Sequence, residues 1–309
     1  MTQHNLLKLL LLAAASLLMP VAFAQLPATP QWQIVAGGKM SFDVASIRLD
    51  TSGKFTPANL DMSAEDTYMP TGGLFSADFP LAMYITFAYK IWLTPNQQSA
   101  LLAGLPKWVG TDKFAIQARA SGNPTKDQMR LMMQSLLAER FHLAVYFETD
   151  EQPVLALKLD KPGKLGLQLR PHAEGLPCEK TLPIPADRQG LTAEMLPCNS
   201  PMAVDLPDKE KFLGFRNSSI NLFMHYLPLI GMGDRPVIDQ TGLTGTFDIA
   251  INFARGLNGS ELAAGTPQSD LPGPTLLEAL KDQLGLKLEP TKAPLSILFV
   301  DHVDHPSEN

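Results

Sequence analysis

Residues 281–301, KDQLGLKLEPTKAPLSILFVD, decide the predicted fold because a similar stretch, AERFHLAVYFETDEQPVLALKLD, occurs earlier at residues 138–160. In both stretches the end of an apolar helix leads into a strand with alternating apolar residues. A polar turn containing threonine follows, and then a proline and a more apolar strand. Pro153 aligns with Pro294, after a turn that is two residues shorter in the second copy. Because each copy of a duplication is one structural unit, the sequence predicts two tandem homologous modules.

The similarity extends upstream in both halves of the chain. Residues 112–118 match residues 246–251, and an apolar helix precedes each of these predicted strands. A threonine followed three residues later by Gln or Glu, at Thr125 and at Thr275, marks the start of a second helix in each copy. The order predicts an α+β fold of two tandem β-α-β(-β)-α-β-β modules, with the helices on one face of small mixed sheets.

The first 24 residues, MTQHNLLKLLLLAAASLLMPVAFA, have the pattern of a secretory signal peptide. Lys8 supplies the positive charge, residues 9–18 the apolar stretch, and residues 22–24 the small-residue cleavage site. A retained membrane anchor is the alternative, although the apolar stretch is short for a spanning helix. The sequence therefore predicts export to the periplasm or the extracellular space, with no stable membrane span after the signal is cleaved.

Composition predicts the remaining boundaries of the chain. Residues 25–39, with two prolines, form a linker, and residues 40–162 form the first α+β module. Residues 163–213 contain the leading strand of the second module and a proline-rich insertion. Residues 214–309 complete the second module.

The two cysteines, Cys178 and Cys198, both follow a Leu-Pro pair in the proline-rich insertion. Export favours a disulfide between them. It would close a loop of about twenty residues and contribute about 3 kcal/mol in the chain-entropy model. Two free thiols or a metal site are the alternatives. No second pair of ligands lies nearby in the sequence, which disfavours a structural zinc site.

Composition and motifs also restrict the chemistry. The formal net charge is −6 and no basic stripe is present, which argues against nucleic acid and against an anionic membrane surface as partners. No phosphate-binding G-K-[ST] loop and no G-x-S-x-G elbow occurs, so no cofactor is predicted. His142, His172 and His225 lie on different predicted elements, and no nucleophile and base are near each other in sequence. No catalytic residue is therefore predicted.

A few residues remain as weak site candidates. His302 and His305, with neighbouring carboxylates, could hold a metal, but successive strand residues point to opposite faces, which favours a solvated strand end and no metal site. Trp108, close to a turn, is a candidate contact residue or a cap of the core. Asp239 is a candidate contact residue or a hydrogen-bond acceptor for the turn that follows it.

Several motifs carry a family resemblance: FDVASIRLD, LPKWVGTDKFAIQARA and RPVIDQTGLTGTFDIAINFA, together with the two repeated stretches. They resemble the uncharacterised "soil-associated" secreted protein family, an acidobacterial-type domain of unknown function. The resemblance covers nearly all of the mature chain and implies export, but no catalytic residue. Some relatives fuse a similar domain to a membrane metallopeptidase, whose H-E-x-x-H is absent here. Each half is also weakly similar to the short N-terminal domain of secretins and TonB-dependent receptors, which implies a periplasmic interaction module.

The sequence as a whole favours a binding role over an enzymatic one. We expect an exported binding or protein-interaction module whose partner is an envelope protein or a small ligand. The alternative is a secreted hydrolase with a site between the two modules, because clefts often form at such interfaces. A polar cleft with shifted carboxylates would favour the hydrolase, whereas an apolar groove or an unpaired strand edge would favour binding.

Overall fold

The computed structural model describes residues 29–207, 210–230, 235–254 and 273–306. The predicted signal peptide lies outside them. The helices are α1 (Gln31–Ala36), α2 (Leu81–Ala88), α3 (Pro95–Ala103), α4 (Trp108–Thr111), α5 (Lys126–Arg140), α6 (Ile220–Tyr226) and α7 (Leu276–Leu284). The strands are β1 (Val44–Asp50), β2 (Leu74–Pro80), β3 (Lys113–Arg119), β4 (Ala144–Leu159), β5 (Leu169–Pro171), β6 (Met202–Asp205), β7 (Glu210–Ser218), β8 (Val237–Asp239), β9 (Phe247–Ala254) and β10 (Leu286–His302). The α+β prediction is confirmed.

These strands form three small sheets. The first has the order β1-β3-β2 and the second β5-β9-β7-β6, and both are antiparallel. The third has the order β10-β4-β8, in which β8 runs parallel to β4. The first and second sheets each back a separate hydrophobic core, called here the first core and the second core.

The first core lies between the first sheet and helices α2 and α5. Helix α5 begins with the predicted capping box at Thr125. Three methionines on one side of this helix, Met129, Met132 and Met133, are buried in the first core. Five aromatic side chains of this core are almost completely buried: Phe75, Tyr84, Phe87, Phe114 and Phe141.

The second core lies between the second sheet and helices α6 and α7. Helix α7 repeats the capping box at Thr275 and ends at Gly285, whose left-handed conformation suits a helix C-terminus. The buried residues of this core include Leu213, Phe215, Phe223, Phe253 and Leu280.

The prediction of a strand, a turn and a second strand in each repeated stretch is wrong. Each stretch is one continuous strand, β4 or β10, and the two pair with each other in antiparallel fashion from Leu159–Leu286 to Ala144–His302. The apolar ends of the two strands are buried in the cores, but their polar middles, residues 148–151 and 290–292, are exposed. An exposed polar segment between two apolar ones also has the local pattern of a turn. The two strands form what we call the ribbon.

The ribbon joins the two cores. The first half of β4 and the second half of β10 pack on the first core, through Val145 and Leu298. The second half of β4 and the first half of β10 pack on the second core, through Leu157 and Leu286. Each core is therefore completed by strands from both halves of the chain.

Two further expectations need correction. The predicted linker, residues 25–39, contains helix α1, which packs against α5 and accepts a hydrogen bond from Gln128 Nε2 at the Ala36 carbonyl. The leading strand that was expected within residues 163–213 is only the three-residue β5, and β6 adds an edge strand from the proline-rich insertion. Within that insertion Cys178 and Cys198 form a disulfide, with a Cα–Cα distance of 5.6 Å.

Candidate functional site

A groove of about 980 Å³ lies between the two cores. Its lining is mostly apolar. Residues of the first half that line it include Trp32, Ile91, Trp92, Leu101 and Leu105, and residues of the second half include His225, Pro236, Val237, Ile238 and residues 295–300. A mostly apolar cleft with a few polar groups is typical of a binding site.

One wall of the groove is strand β10. Six consecutive residues of this strand, Leu295 to Val300, line it. Successive side chains of a strand point to opposite faces. A groove that contacts all six residues must therefore follow the edge of the strand and not one face. Strand β10 is an edge strand of its sheet, and the edge that faces away from β4 has no backbone partner among the described residues.

The pairing of β4 establishes which backbone groups lie on this edge. The Leu155 N–H donates to the carbonyl of Pro236, and the Leu157 carbonyl accepts from Gln240, so both residues face β8. Directly opposed residues of an antiparallel pair either both point their backbone N–H and C=O groups at each other or both point them away. The partners of Leu155 and Leu157 in β10, Pro290 and Leu288, must therefore point these groups away from β4.

The same alternation continues along β10 into the groove. Every second residue from Leu288 faces outward, which places the N–H and C=O groups of Ser296, Leu298 and Val300 on the unpaired edge. Pro290 and Pro294 occupy outward positions too, where the missing N–H removes no bond of the ribbon. The groove therefore contains a strand edge with a free set of backbone donors and acceptors.

Polar contacts hold the two halves together beside the groove. The side chain of Glu65, which is only 6% exposed, accepts from Ser219 Oγ and Asn221 Nδ2, both at 2.8 Å. Ser219 also caps helix α6 by accepting from the Leu222 N–H. Because a buried carboxylate needs such partners, these contacts fix α6 relative to the loop that carries Glu65.

A cluster of charged residues lies behind this loop. The guanidinium of Arg130, fully buried, donates to the Glu65 carbonyl at 2.6 Å and contacts Asp66 and Asp127. Lys90 lies 2.5 Å from Asp66. Burial alone would raise the pKa of Asp66, but the hydrogen bond and charge of Lys90, with those of Arg130, lower it overall. The carboxylate is thus held ionised by its partners.

His225 and Trp92 form the aromatic centre of the groove. Their rings stack with centroids 4.4 Å apart, and Nδ1 of His225 donates to the Asn221 carbonyl at 2.6 Å. Burial lowers the pKa of His225 to about 4, against a smaller opposing effect of that hydrogen bond. The imidazole is therefore neutral at neutral pH. Trp92 Nε1 is buried, with no hydrogen-bond acceptor among the described residues.

The weak candidates from the sequence are not among the residues that line this groove. Trp108 packs against Phe114 and Phe141 of the first core. Asp239, at the end of β8, accepts from both the N–H and the hydroxyl of Thr241 at 2.7 Å, in the turn that follows.

The two C-terminal histidines, His302 and His305, contact different residues. His302 Nε2 lies 3.1 Å from Asp304 Oδ2, and His142 Nδ1 contacts the same oxygen at 3.1 Å. His305 instead packs edge-on against Trp108. The structure therefore does not bring His302 and His305 to a common point.

A second cluster surrounds the disulfide. Nδ1 of His172 lies 2.7 Å from Oδ1 of Asp248, which is buried, and Nε2 lies 3.5 Å from Sγ of Cys178. The ligand atoms of His172, Cys178 and Cys198 all lie within 4.8 Å of one another. From the sequence, a metal site was an alternative for the two cysteines, but His172, six positions before Cys178, was not included in it, and Asp248 lies far away in sequence on β9.

Among the residues that the structure describes, no helix has the length and apolar character needed to cross a membrane.

Comparison with curated proteins gave no match, and comparison with solved structures gave none either. The family model described as "Protein of unknown function (DUF3738)" matches residues 82–303, well over half of the 309-residue chain. The matched segment contains the second core, the ribbon, most of the groove lining, and helices α2 and α5 of the first core, but not strands β1 and β2. The chain belongs to this family of unknown function.

Proposed function

We propose that this protein is an exported, non-catalytic binding module that takes an extended, apolar segment of an envelope protein as an added strand along β10. The observation that carries the proposal is the unpaired edge of β10 inside a mostly apolar groove. Strand addition supplies affinity through backbone hydrogen bonds, and flanking pockets accept alternate side chains of the bound segment.

The groove supports this occupant in two ways. Ser296, Leu298 and Val300 offer backbone donors and acceptors at the spacing of a strand. The opposite walls, formed by Trp92, Leu101 and Val237 among others, offer apolar contacts for side chains. Lys90, the charged group of the lining, is already bound to acidic partners, which favours an uncharged segment.

The hydrolase alternative would need a nucleophile, a base and an orienting group within reach of one another. Among the described residues, the imidazole of His225 hydrogen-bonds only to the carbonyl of Asn221. Its pKa of about 4 makes it a weak base at neutral pH. Asp66 and Asp127 beside the groove are bound by Lys90 and Arg130. These contacts favour a binding role over hydrolysis.

The edge can be blocked by one substitution. Ser296 faces outward, so Ser296→Pro removes an N–H from the free edge while leaving the bonds between β4 and β10 intact. Lys292→Pro is the matched control: it makes the same change on the same edge, at a residue outside the groove lining. Pro290 and Pro294 demonstrate that this edge accommodates proline at outward positions.

The test selects nine-residue peptides from a random library on residues 25–309 and measures their affinities by fluorescence anisotropy. We expect Ser296→Pro to weaken binding about tenfold or more, since one backbone hydrogen bond and edge contact are lost, and Lys292→Pro to leave it unchanged. Amide exchange at Leu298 and Val300 should slow in the complex. Selected peptides that bind both variants equally, or a groove that takes only small apolar molecules such as fatty acids, would overturn the proposal.

A further inference from the structure

We propose that the reduced form of this protein binds a thiophilic divalent cation of the zinc class, through Cys178, Cys198 and His172, and that the disulfide closes this site. The inference is independent of the groove, since the cluster lies in the proline-rich insertion. Two thiolates and an imidazole are donors that Zn²⁺ prefers, and three protein ligands leave a fourth position for water.

The position of His172 fits this role. A tetrahedral zinc with bonds of about 2.3 Å to sulfur and about 2.0 Å to nitrogen separates those two ligand atoms by about 3.5 Å. The structure places His172 Nε2 at 3.5 Å from Cys178 Sγ. The imidazole therefore already has the spacing of a ligand pair while the sulfurs are bonded to each other.

Asp248 holds the imidazole in the tautomer that a metal requires. Its carboxylate is 1% exposed and accepts from Nδ1 of His172 at 2.7 Å. The proton is thus on Nδ1, and in the neutral ring the lone pair of Nε2 is directed at the sulfur. A carboxylate behind a histidine ligand is the usual outer contact of a zinc site. The N–H of Asn217 donates to the same carboxylate oxygen at 3.1 Å and helps to fix it.

A buried arginine keeps both cysteine segments in place without the disulfide. Arg216, 0% exposed, donates to the carbonyls of Leu176, Pro177 and Lys180 on one side, at 2.6–2.9 Å. It donates to the carbonyl of Leu196 on the other side, at 2.8 Å. These carbonyls flank Cys178 and Cys198, so reduction leaves two thiols close together in an ordered loop.

Reduction of the disulfide and binding of the metal are two separate steps. A small dithiol or a phosphine supplies two electrons, the Sγ–Sγ bond breaks, and each sulfur takes a proton from solvent. Zn²⁺ then displaces both thiol protons, which return to solvent, as the two thiolates bind it. The sulfurs must separate to about 3.8 Å on a tetrahedral ion. The sulfurs bind either each other or the metal, so oxidation expels the cation.

The test uses residues 25–309, reduced anaerobically and titrated with Zn²⁺ against a chromophoric chelator. We expect one zinc per reduced chain and none at this site in the oxidised chain. His172→Gln and Asp248→Asn should each weaken binding by about tenfold to a hundredfold. His142→Gln is the matched control, because His142 also contacts an aspartate through Nδ1 but lies far from the cysteines, and it should bind like the unaltered protein.

The zinc ligands can also be identified in the unaltered protein, so that the result does not depend on whether a variant folds. X-ray absorption at the zinc edge of the unaltered, reduced protein should resolve two sulfur ligands and at least one imidazole nitrogen. The proposal is overturned by a spectrum without sulfur ligands, or by zinc affinity that matches the Cys178→Ser/Cys198→Ser double variant. Equal affinities of His172→Gln and His142→Gln would also exclude the proposed ligand set.

Discussion

Arg216 is a completely buried charged side chain with no carboxylate partner in the part of the chain that the structure describes. Its two terminal nitrogens donate to carbonyls of the proline-rich insertion, at Leu176, Pro177, Lys180 and Leu196. Replacing it with an apolar residue would leave several buried carbonyls without donors, each costing about 1–3 kcal/mol. The residue thus organises a segment that has little regular structure of its own.

We therefore expect Arg216→Met to lower the free energy of unfolding by about 3 kcal/mol or more. Urea unfolding followed by circular dichroism measures the change. Arg119→Met is the control, because Arg119 is exposed on β3, and it should change stability by no more than about 0.5 kcal/mol. Equal effects of the two substitutions would show that the carbonyl contacts of Arg216 contribute little.

Asp50 and Asp78 form a pair of facing carboxyl groups on the outer face of the first sheet. Burial raises the pKa of Asp78, and the charge of Asp50 adds to the rise. Asp50 Oδ2 and Asp78 Oδ1 are buried, and neither has a donor among the described residues. A carboxyl with a higher pKa when folded binds protons more tightly in the native state, so its contribution to stability falls as the pH rises.

Asp78→Asn removes that charge and supplies an N–H donor for Asp50. At pH 7 we expect the variant to be more stable by about 1 kcal/mol, the usual contribution of one hydrogen bond. The gain should disappear as the pH falls below the ordinary aspartate pKa of 3.8, where Asp78 is protonated in both states. Thermal unfolding at several pH values tests this, with exposed Asp150→Asn as control. A gain that is constant with pH would contradict the carboxyl pairing.

At the scale of elements, signals within one helix predicted the structure well, whereas the local pattern of β4 and β10 was mistaken for two strands and a turn. The capping threonines Thr125 and Thr275 both begin helices, because their hydrogen bonds lie within one turn. The ribbon was missed because the pairing of β4 with β10 depends on residues more than a hundred positions apart. A cleft between the two halves was considered from the sequence, but its lining residues were missed for the same reason: Trp92 and His225 stack across the two halves, and nothing near either residue indicates the other.

The sequence alignment nevertheless fits the ribbon in one respect. Pro153 pairs with Lys292 and Pro294 pairs with Glu151, so the aligned prolines occupy equivalent positions on either side of the Gln152–Ala293 pair. A two-stranded ribbon with this internal symmetry supports the interpretation that the two halves are copies of one unit. Each copy then contributes one long strand that crosses from its own core to that of the other.

The alternation along β10 makes a prediction that needs no ligand. Ile297 faces β4, so Ile297→Pro removes a hydrogen bond of the ribbon, whereas Ser296→Pro removes none. We expect Ile297→Pro to destabilise the protein by about 2 kcal/mol more than Ser296→Pro. Urea unfolding of the two variants measures the difference. If Ser296→Pro were the more destabilising substitution, the N–H of Ile297 would have to point away from β4 and that of Ser296 toward it. The assignment of free donors in the groove would then be wrong.

At the scale of the whole molecule, the shared ribbon should make the two cores unfold together. Leu298 of β10 is buried in the first core and Leu157 of β4 in the second. Loosening of either core frees a strand that the other core needs, so neither can lose its order alone. If modules with the sequence-based boundaries at residues 40–162 and 214–309 only packed against each other and shared no strands, they would respond separately.

Leu298→Ala distinguishes these expectations. Removing a buried leucine should lower stability by about 2–5 kcal/mol. Because the cores share strands, we expect amide exchange followed by mass spectrometry to accelerate in β9 of the second core as much as in β3 of the first. Leu157→Ala should give the same pattern from the other side, and Leu167→Ala, at a residue 96% exposed, should change neither strand. Faster amide exchange only in the core that carries the substitution would mean that the ribbon connects two independently stable modules. The groove between them could then open without unfolding either module.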